Sequence, residues 1–519
     1  MDAATLPIDT TASDKAARTH IRGSLLLLIG RVLSLGLNFG IQILTVRYLT
    51  KTEFGAWAYA LAVVTLGTHL VVVGLDKTIT RFVPIYQEKE DYAKMFGTIL
   101  MMVGVVLGLG LAMVVLVLSL SGVLGAYVGS DALSLSLVLV LIALPPVQAL
   151  DSLLVGMLAT FAPPSAIFFR KHVLAPGLKA VAVLLLIVFH SSVYVLAFGY
   201  LAGAVIGVLI YAILLVRLLS TQGLLRHFSL RRLEFPAREV FCFSVPLLSS
   251  DLVFLLRGSL IILLLEHFWN SAAVADFRAV FPVARLNQIV FESCHFLFMP
   301  AASRMFARND RAGINGLYWK TALWIAICSF PVFAVSFSLA KPLAVLLFGQ
   351  RYADSGTILA VLSLGFYFNA ATGFNAMTLR VFGRLRYIVI ADFVAAGVAV
   401  ATSLLLVPRY GAMGGAVGTC FTLIVHNILN QAGLRGSGIQ LFQWRYARAY
   451  LVIALAAAGL LLVQMFVAPP IYIAFGLAAA VSLAVIVLNR DLLDVQGTFP
   501  ELERFRWLRP VLAPTGKTA

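Results

Sequence analysis

The sequence is poor in charged residues, which make up 12% of 519 residues, against about 25% in a typical soluble domain. Hydrophobic residues make up 61%. So little charge excludes a soluble globular protein. Apolar runs recur from end to end, and each is long enough to cross a hydrocarbon core about 30 Å thick. We therefore predict an all-α polytopic membrane protein.

Cysteine is also scarce, with four residues that lie inside apolar stretches and show no paired spacing. This pattern excludes a disulfide framework, and we interpret the cysteines as small packing residues. The histidines within the apolar runs are scattered, so no His/Cys/Asp cluster has the spacing of a metal site. No glycine-rich phosphate loop follows a strand, which leaves direct use of ATP unsupported. The sequence predicts no metal and no cofactor.

Basic residues are in excess, and the net charge is +16. They concentrate in alternate loops and at the two termini, most heavily at 217–238 and 490–517. This is the positive-inside bias of a membrane protein, so we expect both termini in the cytoplasm and no nucleic-acid partner. The N-terminus resembles a signal peptide, but its apolar run is too long, and we predict a retained first helix. The opposite loops are short and leave no external domain for catalysis.

About fourteen transmembrane spans are predicted. They lie near 24–44, 55–75, 96–120, 133–158, 173–189, 193–216, 240–265, 272–299, 317–339, 354–379, 388–407, 412–433, 449–467 and 470–488. A weak internal repeat relates spans one to six to spans seven to twelve, because "RFVPIYQEKEDYAKMFG" resembles "LFMPAASRMFARNDRAG". Such repeats build many transporters. We predict two pseudo-repeated six-helix lobes around a central cavity, with a C-terminal helix pair.

The predicted domain organisation has six parts. They are a cytoplasmic N-terminal segment at 1–22, an N-lobe at 23–217 (TM1–6), a basic cytoplasmic linker at 218–239, a C-lobe at 240–435 (TM7–12), TM13–14 at 436–489 and a cytoplasmic tail at 490–519.

Polar stripes run along three of the predicted spans. Residues at helical spacing share one face of span one, and others do so on spans seven and eight. These residues are Arg31, Ser34, Asn38, Gln42 and Thr45 on span one, Ser250, Asp251 and Arg257 on span seven, and Arg278, Arg285, Gln288, Glu292 and His295 on span eight. Because such faces cannot point at lipid, we expect them to meet across a hydrated cavity.

Four arginines against two carboxylates would leave this cavity positive. Guanidinium groups suit phosphate and diphosphate through bidentate hydrogen bonds, so an anionic headgroup is the expected ligand. The predicted substrate-binding residues are Arg31, Asn38, Gln42, Arg257, Arg278, Arg285 and Gln288. The alternative is that the charges form purely structural ion pairs. Arg285 and Glu292 are two turns apart, too far for a simple i, i+4 pair, so each is expected to need a partner elsewhere or water.

Embedded acids are candidates for coupling transport to a proton or cation gradient. They are Glu292, Asp151, Asp251 and Asp392.

Four segments resemble, in order, those of polysaccharide-biosynthesis proteins, the Wzx-type flippases of the multidrug/oligosaccharidyl-lipid/polysaccharide (MOP) superfamily. They are "GRVLSLGLNFGIQILTVRYLTKTEFGAWAYALAV", "GLDKTITRFVP", "LLFGQRYADSGTILAVLSLGFYFNA" and "VPRYGAMGGAVGTCFT". The resemblance covers about residues 20–435 and implies a two-lobed bundle in the bacterial inner membrane that alternates its opening.

The implied cargo is an undecaprenyl-diphosphate-linked oligosaccharide, moved from the cytoplasmic to the outer leaflet, with polysaccharide polymerase or export machinery as candidate partners. "GRVLS" at Arg31 is similar to a first-helix motif of related lipid II flippases. Leu37 stands where a second arginine would be expected there.

Two other functions stay open. A cation-coupled drug antiporter of the same superfamily would prefer an acidic cavity, whereas the embedded balance here is basic. A membrane glycosyltransferase or polymerase would need a sizeable external loop, which the predicted topology lacks.

Overall fold

The computed structural model describes residue 30 and residues 33–122, 132–162 and 168–493. Side chains are described there except at 171, 246–257 and 296–297. All regular structure in these ranges is helical. The helices are α1 (33–48), α2 (Lys51–Val72), α3 (Leu75–Glu88), α4 (Tyr92–Ser119), α5 (Ala132–Leu141), α6 (Leu144–Phe161), α7 (Ala175–Val188), α8 (Val193–Thr221), α9 (Ala237–Phe268), α10 (Ser271–Arg285), α11 (Ile289–Ala307), α12 (Arg311–Phe333), α13 (Ala340–Phe348), α14 (Ser355–Ala371), α15 (Asn375–Val381), α16 and α17 (together Leu385–Arg435), α18 (Ala447–Phe466), α19 (Ile471–Leu488) and α20 (Arg490–Leu493).

The chain is a multi-pass membrane protein. Within the described ranges, 9 helical segments are long and apolar enough to cross a bilayer, and three shorter apolar helices accompany them. The longest segment, Leu385–Arg435, has 51 residues, about twice the length of one crossing. The all-α class is confirmed, whereas the number of fourteen spans stays a prediction.

Leu385–Arg435 is in fact two helices, α16 (385–410) and α17 (412–435), that turn back on each other at Gly411. Gly411 has φ +55° and ψ −135°, a conformation that side-chain-bearing residues avoid. The Tyr387 hydroxyl donates to the Leu429 carbonyl at 2.6 Å, which joins the far ends of the hairpin. The indole N–H of Trp269 donates to the carbonyl of Val407 at 2.9 Å, beside the turn. The boundary predicted between spans eleven and twelve therefore lies at this turn.

The two segments predicted to be repeats adopt the same local structure. Pro84 lies inside α3 and Pro300 inside α11. Glu90 and Asn309, which follow these helices, both have φ +57°. The next residue in each segment, Asp91 or Asp310, donates its N–H five residues back, at 2.9 and 3.0 Å, as in a Schellman motif. Its carboxylate then caps the following helix, α4 or α12.

Contacts divide the chain into two units, Met1–Leu255 and Leu256–Ala519, and the division falls within α9. The first unit packs α3, α4, α6 and α8 around a core that includes Ile79, Met102 and Leu153. Lipid tails are as apolar as these side chains, so close contact between helices stabilises the unit more than burial from water does. Gly156 permits such contact, because a Cβ there would meet Ile79.

The second unit has an aromatic core between α12 and α14. The Phe333 and Tyr367 rings stack there with centroids 4.1 Å apart, and the Tyr367 hydroxyl donates to the Ala326 carbonyl at 2.8 Å. Residues of α18 and α19, among them Ala457 and Ala478, belong to the same core. The C-terminal helix pair therefore packs within this unit. The domain limits predicted from the sequence stay predictions.

Candidate functional site

The polar stripe of α1 is described only in part, because Arg31 lies outside the described residues. Ser34 Oγ lies 3.0 Å from Nδ1 of His172. Asn38 is exposed and donates to the Ser34 carbonyl at 2.6 Å, and Gln42 is half-buried. Gly30, one turn before Ser34, lies against Phe168 and His172. This face of α1 therefore contacts the segment that precedes α7.

That segment, Phe169–Leu174, is a π-helical turn. Pro176 follows it at the start of α7 and has no N–H to continue an ordinary helical ladder. Single π-helical turns arise at such interruptions and are frequent at functional sites. Here the turn places Arg170 in the interior of the first unit, where its side chain is 9% exposed.

Arg170 lines a cavity of about 370 Å³ within the first unit. We call it the Arg170 cavity. Its walls come from α2, α6, α7, α8 and the π-helical turn. They comprise Thr68, Leu144, Gln148, Asp151, Ser152, Arg170, Leu174, Ala175, Leu178, Lys179, Gly199, Tyr200, Gly203, Ala204 and Gly207. Gly199, Gly203 and Gly207 follow one face of α8, and a Cβ at these positions would meet Ala182, Leu178 and Arg170, respectively, so the glycines let α7 and Arg170 pack closely against α8.

The guanidinium of Arg170 is held by two neighbours. One terminal nitrogen forms an ion pair with Oδ1 of Asp151 from α6. The guanidinium carbon lies 3.1 Å from the centroid of the Tyr211 ring, in a cation–π contact. Nε is buried and has no acceptor among the described residues. Asp151 thus compensates the charge of Arg170 but leaves part of its hydrogen-bonding capacity unused.

Lys179, Tyr200 and Gln148 also line the cavity and carry groups that can donate hydrogen bonds. Gln148 Oε1 accepts from Thr68 at 3.1 Å, and Ser152 donates to the Gln148 carbonyl at 3.0 Å. The lining therefore holds two basic side chains, Arg170 and Lys179, and one carboxylate, Asp151.

Span eight is interrupted rather than continuous. Pro282 lies inside α10, and a 3₁₀ turn at Leu286–Gln288 separates α10 from α11. Asn287 in this turn is buried and donates to the Ala284 carbonyl and to Ser336 Oγ. Gln288 is half-buried.

Arg285 and Glu292 form an ion pair with each other, which the expectation of a partner elsewhere or water did not include. Nη2 of Arg285 lies 3.5 Å from Oε1 of Glu292. The 3₁₀ turn at Leu286–Gln288 lies between the two residues, so the spacing of one continuous α-helix does not set the distance between their side chains. The Arg285 side chain nevertheless stays 59% exposed. Arg278 is half-buried, 6.0 Å from the centroid of the Phe281 ring.

The candidate coupling acids do not form one cluster among the described residues. Asp151 pairs with Arg170 in the first unit. Asp392 on α16 pairs with His426 on α17 at 2.9 Å, and the Asn430 amide lies 3.1 Å from the same imidazole nitrogen. Asp251, with Ser250 and Arg257, lies on α9, where the side chains are outside the described part. Each of the three described acids therefore lies next to a basic side chain.

Arg170 and Lys179 are the residues that sequence reasoning missed. The sequence pattern places Arg170 in a basic loop, and Lys179 inside the predicted span 173–189 was not singled out. The available signal was "FFRKHVLAPGLK", in which a lysine within an apolar run follows a basic triplet and a proline. An embedded lysine marks a functional candidate as an embedded arginine does.

Comparisons with known proteins place these features in context. Residues 20–306, more than half of the chain, match the family described as "Polysaccharide biosynthesis protein". A curated relative, the capsular polysaccharide biosynthesis protein CapF of Staphylococcus aureus, is 23% identical over 35% of this chain and 46% of its own. The teichuronic acid biosynthesis protein TuaB of Bacillus subtilis is 28% identical over 33% of this chain and 37% of its own. This chain thus spans less than half the length of these relatives.

Solved structures share the fold. The lipid II flippase MurJ, in an inward closed conformation, has a TM-score of 0.68 at 14% identity and covers 90% of this chain and 99% of its own. An inward-facing multidrug resistance MATE transporter of the MOP superfamily has a TM-score of 0.63 at 16% identity, over 78% of this chain and 95% of its own. At these identities the likeness concerns the fold alone.

Proposed function

This chain belongs to the polysaccharide biosynthesis protein family, and we propose that it is a transporter rather than an enzyme. Its cargo is a polyprenyl-diphosphate-linked oligosaccharide, which it moves from the cytoplasmic to the outer leaflet by alternating access. The export of a cell-surface polysaccharide is the process it serves, in the inner membrane of a bacterial cell with both termini in the cytoplasm.

One observation carries this proposal: basic side chains lie inside apolar helices of a protein from this family. Arg278 and Arg285 lie seven residues apart and so share one helix face, and Arg170 lies in the interior of the first unit. An embedded cation is costly unless it has a function or a partner. Guanidinium groups bind diphosphate oxygens through paired, charge-assisted hydrogen bonds.

The pairing of the acids favours an anionic cargo over a cationic drug. A cationic cargo needs carboxylates that face it without a counter-ion. The three described acids all have a basic neighbour: Asp151 lies against Arg170, Asp392 against His426, and Glu292 against Arg285. We retain these acids and Asp251 as proposed coupling groups, because release of the basic partner would accompany protonation. For the headgroup we propose Arg31, Arg257, Arg278 and Arg285, with Asn38, Gln42 and Gln288.

Reconstitution tests the proposal. Purified protein in vesicles is supplied with labelled undecaprenyl-diphosphate oligosaccharide, and exchange between leaflets is measured. We expect Arg285→Ala and Arg31→Ala to slow exchange at least tenfold, whereas Arg217→Ala, an exposed position on α8, is the matched control. Unchanged exchange in the first two variants would remove these arginines from the headgroup site. Absence of exchange in the unmodified protein would contradict the function itself.

A further inference from the structure

We propose that the Arg170 cavity binds a single phosphoryl group. When no ligand is bound, the carboxylate of Asp151 serves as the counter-ion of Arg170. The inference rests on the proposed function, since the phosphoryl group would belong to the lipid headgroup. The cavity lies wholly within the first unit.

The donors of the cavity select an oxyanion. Lys179, Tyr200 and Gln148 line the cavity and carry N–H or O–H groups that can donate to a ligand. A phosphoryl group presents acceptor oxygens in several directions, which matches this arrangement. A metal cation or a protonated amine would instead find one carboxylate, and Arg170 already occupies it.

The charges in the cavity point to the same ligand class. Among the described residues that line the cavity, Arg170 and Lys179 carry two positive charges and Asp151 a single negative charge, an excess of one positive charge. Charges within a membrane protein are costly without a counter-ion. A phosphoryl group that carries one negative charge balances the positive charge of Lys179, while Asp151 remains ionised.

Arg170 has an unused nitrogen that a phosphoryl group can satisfy. Asp151 accepts from a terminal nitrogen through Oδ1, while Nε stays buried without an acceptor among the described residues. A tetrahedral oxyanion accepts from Nε and a terminal nitrogen together, the bidentate geometry that makes arginine a phosphate binder. A small movement of Arg170 from Asp151 toward the cavity therefore exchanges a single hydrogen bond for a pair.

The cavity has room for this ligand. At about 370 Å³ the cavity is far larger than a single water needs, so a phosphoryl group fits.

Binding to the purified full-length protein tests the inference. The probes are undecaprenyl phosphate, inorganic pyrophosphate and inorganic phosphate, with dissociation constants measured by calorimetry in one detergent. We expect Lys179→Met to weaken binding at least tenfold, and Tyr200→Phe about fivefold through the loss of one hydrogen bond. Asp151→Asn removes the competitor for Arg170 and should strengthen binding about tenfold. Lys89→Gln, exposed after α3, is the matched control.

The outcomes separate this inference from the proposed function. Tighter binding by Asp151→Asn with weaker binding by Lys179→Met supports the site, because a purely structural ion pair would not improve affinity when broken. Binding of the inorganic anions with no binding of the lipid supports the site and contradicts the lipid cargo. Equal affinities in Lys179→Met, Tyr200→Phe and the control overturn the site even if lipid exchange occurs. Thermal unfolding of each variant verifies that it is folded.

Discussion

The ion pair between Arg170 and Asp151 makes a quantitative prediction about stability. We consider Asp151→Ala, which removes the carboxylate and leaves the guanidinium in place. The Arg170 side chain is 9% exposed, and in the described part of the chain Asp151 is its ion-pair partner. The contact with the Tyr211 ring remains in the variant and offsets part of the loss.

The expected loss follows from burial. Removing one partner of a buried ion pair destabilises a protein by about 3–5 kcal/mol, because the remaining charge has no compensation. The double variant Asp151→Leu/Arg170→Met replaces the pair by apolar groups and should recover most of this loss. Glu292→Ala provides the comparison, because Arg285 is 59% exposed there and such pairs contribute about 0–1 kcal/mol.

The assay is unfolding of the full-length protein by titration with a denaturing detergent, monitored by tryptophan fluorescence. Asp151→Ala should be the least stable of the three variants and the double variant should approach the unmodified protein. Added pyrophosphate should stabilise Asp151→Ala more than the unmodified protein, since it replaces the missing counter-ion. If Asp151→Ala and Glu292→Ala lose equal stability, Arg170 is compensated by other means and our account of the pair is refuted.

Three further predictions concern local structure and share thermal unfolding as the measurement. Gly411→Ala should cost about 1–3 kcal/mol, because alanine avoids the backbone conformation of the α16–α17 turn; Gly397→Ala, within α16 and facing open space, should cost nothing or stabilise slightly. Trp269→Phe should cost about 1 kcal/mol through loss of the hydrogen bond to the carbonyl beside that turn, and no change would mean that the bond is dispensable. Ser34→Ala should cost a similar amount by removing the contact with His172, and an unchanged midpoint would show that α1 is held there by packing alone.

Local features of the fold follow from short stretches of sequence. Both repeat segments contain a proline, a residue with left-handed backbone angles and a capping aspartate, which is Asp91 in the first segment and Asp310 in the second. The left-handed residue and the cap each depend on chemistry within one helical turn. The turn at Gly411 is similarly local, since glycine is the residue that tolerates its dihedral angles.

The candidate site was predicted less completely. Helical spacing predicts that Arg278 and Arg285 share one face, but it did not predict the ion pair of Arg285 with Glu292, because periodicity describes Cα positions and not the length of side chains. Spacing also gave no partner for the candidate coupling acid Asp151, because Arg170 lies on a separate helical segment.

The sequence by itself determined the membrane class, the helical architecture and the excess of embedded cations. The length of an apolar run and the number of charged residues within it are properties of consecutive residues, so they can be counted along the chain. Only the tertiary structure decided which charges meet. Asp151, Arg170 and Lys179 come from α6, the π-helical turn and α7, and together they line one cavity with Tyr200 of α8. Packing of separate helices brings these groups together, and no spacing along the chain encodes that proximity.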